Sequence, residues 1–151
     1  MKKSMKRLAI ILLTSISIFC NGQNHFTYNS TLVRKADADY KIVNKLPNCK
    51  IILRYWDTIG GDLSSVEFYY NNGETDMLSE RGGVEHDEAK DADSYVMDSK
   101  MLSSGCRFTI YYKEVKKQNG TVVTKISLMV ITFIESNFEN SYLLFGGLSK
   151  I

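Results

Sequence analysis

Histidine, proline and tryptophan are scarce in this chain: 151 residues include two histidines, one proline and one tryptophan. His25 lies near the start and His86 among acidic residues, so a histidine triad or a two-histidine metal site requires these two to meet in space. No GxSxG, P-loop, HExxH or EF-hand spacing occurs. The expectation is therefore a protein with no catalytic residues, no cofactor and no metal site. A hydrolase built on carboxylates from different strands stays open, because sequence spacing cannot test a pair placed across a cleft. The low proline content and ten glycines, with 44% hydrophobic residues, exclude disordered and collagen-like chains and fit one globular domain.

Residues 1–22 have the three parts of a secretory signal: the basic start Met1 to Arg7, an apolar run from Leu8 to Phe19, and Cys20-Asn21-Gly22 before Gln23. The expected cut precedes Gln23 and leaves 23–151 as a single domain, periplasmic or secreted. A lipoprotein anchored at Cys20 is the alternative. Removing Lys2, Lys3, Lys6 and Arg7 from 19 basic residues leaves 15 against 17 acidic ones, so the mature chain is slightly acidic and poorly suited to nucleic acid. No later stretch is long and apolar enough for a transmembrane segment.

Cys49 and Cys106 are the two cysteines left after such a cut. An even number in an exported chain predicts a disulfide between them. Each opens a strand-like segment, so a bridge needs strands that run the same way or sit on facing layers.

Leu32, Val33, Ala36, Tyr40, Val43 and Leu46 recur at spacings of three and four before Pro47, which predicts an amphipathic helix. The period then changes to two. Strands are expected from Cys49 to Trp56, from Ser65 to Tyr70, near Thr75 to Leu78, from Cys106 to Lys113, from Thr121 to Ile134 and from Tyr142 to Phe145. Asn71-Asn72-Gly73 and Asn119-Gly120 mark hairpin turns, and the Gly-Gly pairs at 60–61, 82–83 and 146–147 read as turns. The stretch from Ser79 to Ser104 is irregular, with a short helix expected around Asp93 to Leu102. Both faces of the 126–134 segment are apolar, as in a strand covered on both sides. The sum is an α+β fold: one N-terminal amphipathic helix packed on a mostly antiparallel sheet of five or six strands, the order of cystatin-like and NTF2-like folds. A small lipocalin-like β-barrel is the alternative.

Two surface features are uneven. The segment 74–98 holds nine acidic residues against Arg81 and Lys90. Its members Glu85, Asp87, Glu88, Asp91 and Asp93 suit the steering of a basic partner, a weak calcium site, or plain solvation of a loop. The pairs Tyr55-Trp56, Tyr69-Tyr70 and Tyr111-Tyr112 send one ring to each face. With Tyr55, Tyr70 and Tyr112 in the core, Trp56, Tyr69 and Tyr111 project outward as anchors for a partner protein or sugar. The functional expectation is a small exported, non-catalytic binding protein whose partner is another protein, such as an immunity-type inhibitor of a toxin. A cone or barrel holding a lipid or sugar is the alternative.

Overall fold

The structure, a computed structural model, describes residues 24–56, 62–100, 105–135 and 138–151; the signal segment with Cys20 and the Gly60-Gly61 turn lie outside them. Every regular element among the described residues is a strand: β1 (Asn24–Asp37), β2 (Ile42–Leu46), β3 (Cys49–Tyr55), β4 (Leu63–Tyr70), β5 (Thr75–Asp87), β6 (Ala92–Ser99), β7 (Gly105–Lys116), β8 (Val122–Glu135) and β9 (Phe138–Lys150). Their spatial order is β2-β1-β3-β4-β5-β6-β7-β8-β9, and β9 returns to pair with β1. All these pairings are antiparallel. Eight strands thus close an up-and-down barrel, and β2 lies beside β1 as an extra strand. The α+β expectation is overturned, and the barrel named as its alternative is the architecture that fits.

The helix expected over Leu32–Leu46 is instead the end of β1, a tight turn and β2. Only Val33 and Ala36 of its apolar set are fully buried, and they sit on opposite sides of the barrel wall; Leu32, Tyr40 and Val43 are exposed. The turn is made by Asp37, whose carboxylate accepts the backbone N–H groups of Asp39 and Lys41 at 3.0 Å each. This local bonding competes with helix formation, and β-branched Thr31, Val33, Ile42 and Val43 add to the strand preference.

The helix expected at Asp93–Leu102 is replaced over Asp93–Ser99 by β6, which pairs with β5 on one side and β7 on the other and makes 75–99 a hairpin; residues 101 and 102 lie outside the described residues. Asp93, Tyr95, Met97 and Ser99 are the inward buried positions of β6, a period of two disguised by an acid where an apolar residue belongs, while Ala92 is buried on the outer face. Gly82-Gly83 lie in a bulge of β5 between Glu80 and Val84, not in a turn. Gly146-Gly147 lie inside β9, where Phe145 and Leu148, three positions apart, both reach the interior. Gly147 has φ +57, and the Thr31 hydroxyl oxygen occupies the place where a Cβ would go. The turns at Gly73 (φ +90) and Gly120 (φ +84) are formed as expected.

The lumen is filled by side chains. Tyr55, Tyr95, Phe68, Phe108 and Phe145 are its largest fully buried members. Phe68 stacks on Phe145 with centroids 5.0 Å apart and meets Phe108 edge-on at 6.2 Å, so rings from β4, β9 and β7 join across the interior. Burying each such ring stabilises the fold by roughly 1.5–3 kcal/mol. Lys50, Arg54, Glu67, Asp98 and Arg107 occupy the outer wall, where a membrane-spanning barrel carries an apolar band. No helix among the described residues is long and apolar enough to cross a membrane.

Cys49 and Cys106 are free and buried, which corrects the disulfide expectation. They open β3 and β7, strands that run the same way but stand four steps apart in an eight-strand ring. Opposite walls separated by packed side chains lie beyond the ~7 Å Cα spacing that a disulfide spans.

Candidate functional site

The outward positions of β6 to β9 and of the adjoining end of β1 should be solvated, since no second layer covers them. Several are instead buried: Ala36 of β1 is 0% exposed, Ala92 2%, Tyr142 4%, Thr109 and Thr132 6% each, and Val130 7%. The register explains this in three rows across the wall. Ala36, Tyr142, Thr132 and Arg107 form one; Arg34, Leu144, Val130, Thr109 and Ser94 the next; Leu128, Tyr111, Ala92 and Asp87 the third. Small residues occupy much of the floor, and larger ones stand at its borders. At one border Tyr40, from the β1–β2 turn, lies flat on Tyr142 with centroids 4.3 Å apart and planes 16° from parallel. At the other stand Asp87 and Lys90 of the β5–β6 hairpin.

The result is a groove of about 390 Å³ on the outside of the barrel. Its floor mixes aliphatic Leu128, Val130 and Leu144 with the hydroxyls of Ser94, Thr109 and Thr132. The Ser94 and Thr109 hydroxyls are bonded to each other at 3.0 Å. Asp87 is the one carboxylate among the described lining residues. The doubly apolar character of the 126–134 segment is realised here: Met129 and Ile131 enter the lumen, while Leu128 and Val130 join the outer cluster. The second face is the floor of this groove, and no helix among the described residues lies over it.

The residues singled out from the sequence do not form one surface. Tyr55 is fully buried and Tyr70 and Tyr112 pack on the core, while Trp56 is 49% and Tyr69 40% exposed, as the alternation required. Trp56, just after β3, donates its indole N–H to the Glu80 carboxylate. Tyr69 lies on β4 with the Lys50 ammonium 5.1 Å from its ring centre, beside a smaller depression of about 250 Å³. Tyr111 alone lines the large groove. The acids also separate. Glu85, Glu88 and Asp91 are exposed, Asp87 faces the groove, and Asp93 points inward. Among the described residues no three acidic, histidine or cysteine side chains gather as a metal cage.

Asp93 is the polar residue whose place sequence reasoning missed. It is 5% exposed; its Oδ1 lies 2.6 Å from His86 Nδ1, and its Oδ2 accepts the Tyr112 hydroxyl at 2.8 Å. His86 and Asp93 are directly opposed across β5 and β6, so this carboxylate ties the acidic hairpin to β7. The hydrogen bond to Asp93 raises the His86 pKa, with further help from the charges of Asp93, Asp91 and Glu88. Burial pushes the Tyr112, Tyr95 and Tyr55 hydroxyls well above the usual phenol range, and Asp93 adds to each shift. The Tyr55 hydroxyl is buried without a hydrogen-bond partner among the described residues. The signal that could have placed Asp93 inward is its period-two phase with Tyr95 and Met97.

Compared with known proteins, the chain matches no family model, no curated protein and no solved structure.

Proposed function

We propose that this protein is an exported, non-catalytic binding protein that holds a partner protein against the outer groove of β6 to β9. The observation that carries the reading is the groove itself: an aromatic-edged, partly apolar depression on a wall whose neighbouring positions are charged. The acidic β5–β6 hairpin at its border draws a basic partner toward it, and the buried floor gives the contact its lifetime. Neutralising the partner by occlusion, as an immunity-type inhibitor does, is the role that this surface would serve. Trp56 and Tyr69 face other directions and stand outside it.

A small ligand in the same groove is the second reading, favoured by its volume, which falls in the range of about 300–1,000 Å³ common to ligand pockets. That reading moves the ligand from the lumen, which side chains fill, to the outer wall.

The test is capture from periplasmic extract with the wild-type chain and with Leu144→Arg, which fills the floor. A protein retained by the first and lost by the second supports the reading; equal retention overturns it. With a captured partner, neutral residues at Asp87, Glu88 and Asp91 should slow association and flatten its salt dependence. Tyr111→Ala should speed dissociation.

A further inference from the structure

We propose that the groove seats a guanidinium group, the side chain of an arginine on the partner, between Tyr111 and Asp87. This rests on the reading of the groove as the binding surface and names the chemistry it selects.

The placement follows from register. Ala92 pairs with Tyr111 on one side and Asp87 on the other, so the three stand in one outward row with the smallest in the middle. Strands about 4.8 Å apart put the backbones of Tyr111 and Asp87 roughly 10 Å from each other. That gap accepts a flat group stacked on the ring and reaching the carboxylate, with the buried Ala92 methyl beneath it. Leu128, opposite Tyr111 on β8, shields the other flank from water.

Charge favours a cation at this end. Glu85, Glu88 and Asp91 are exposed on the same hairpin as Asp87, whereas Arg107 stands four residues before Tyr111 on β7, roughly 13 Å away along the strand. The molecule already places a cation of its own there. The Lys90 ammonium is 3.9 Å from Asp87 Oδ2, and the two side chains are 69% and 45% exposed, a loose pair at the limit of contact. Asp87 Oδ1 accepts the Lys90 backbone N–H at 3.3 Å, so Oδ2 is the oxygen open to a ligand. A planar guanidinium can bond it while stacking on the ring, which an ammonium cannot do.

The test is a titration of the whole exported protein with N-acetyl-arginine amide, followed by amide chemical shifts. The comparison ligands are the isosteric, uncharged citrulline derivative and the lysine derivative. The expected result is weak binding with shifts centred on Asp87, Ala92 and Tyr111, and arginine preferred over both others by roughly tenfold. Asp87→Asn and Tyr111→Ala should each abolish that preference. Lys90→Ala should strengthen arginine binding, since it removes the internal competitor; a merely structural Lys90 would leave it unchanged. Equal binding of citrulline, shifts centred elsewhere, or no gain from Lys90→Ala overturns the proposal. If a partner is captured and lost with Leu144→Arg while arginine shows no preference, the groove reading stands and the arginine anchor falls. Arginine binding without any captured protein keeps the cation site and removes the protein partner.

Discussion

Tyr40 and Tyr142 stack face to face at 4.3 Å, and the pair joins the β1–β2 turn to β9 across the outer wall. Tyr142 is buried beneath a Tyr40 that is itself 65% exposed and holds a φ of +61°. A tyrosine adopts that left-handed backbone only at a cost of roughly 1–2 kcal/mol, which the ring contact helps to offset. The turn is thereby held over the end of the groove that lies farthest from the acidic hairpin.

Truncating the two rings should therefore have unequal effects. Tyr142→Ala is expected to cost about 3–5 kcal/mol, in the manner of a buried aromatic deletion, and Tyr40→Ala about 1 kcal/mol. Urea unfolding of both single variants and the double variant gives the coupling, expected at roughly 0.5–1.5 kcal/mol. Additive effects would show that the stack holds nothing in place.

The His86–Asp93 pair predicts a pH dependence of stability. The folded His86 pKa is raised, so the folded state binds the extra proton more readily than the unfolded chain. Its stabilising contribution is fully present below the unfolded value of about 6.5 and is lost as pH rises through the folded value. Denaturation midpoints between about pH 5.5 and 8 should fall for the wild type and stay flatter for His86→Gln. Parallel curves would remove His86 from this role.

Tyr55→Phe should be neutral or stabilising by up to about 1 kcal/mol, because the hydroxyl it deletes is buried without a partner. Tyr112→Phe deletes a hydroxyl that bonds buried Asp93, and should cost about 1–3 kcal/mol. Thermal unfolding of the two variants, each lacking one oxygen from the same region of the barrel, separates a paired hydroxyl from an unpaired one. A loss for Tyr55→Phe as large as that for Tyr112→Phe would mean that Tyr55 has a bonding role.

Both structural thiols should be inert in the folded protein. Burial pushes Cys49 and Cys106 up to about 12, so the reactive thiolate is negligible at neutral pH. Iodoacetamide should leave the native protein unlabelled at Cys49 and Cys106 and should alkylate both after unfolding without reductant. A chain that takes no label until it is reduced would contain the disulfide that the barrel geometry rules out.

Local chemistry made several parts of this protein readable. The tyrosine pairs sorted correctly between lumen and surface, because a strand alternates its side chains whatever it pairs with. Asn71 to Gly73 and Asn119-Gly120 turned where expected, since a positive φ at glycine is a local preference. The apolar faces of the 126–134 segment are both used, but the outer one lines the groove and does not lie under a second layer. Three-four spacing over 32–46 misled because Val33 and Ala36 are buried on opposite sides of one wall, and two separate cores look like one helical stripe. The outer groove and the distance between the cysteines were decided by how the strands close into a ring, with β1 pairing with β9. Closure brings β1 beside β9, next to β8 and β7, and sets the rows in which Ala92, Thr109 and Thr132 become a floor. A groove made of small residues from distant segments leaves no periodic trace in any one of them, so only the closed barrel reveals it.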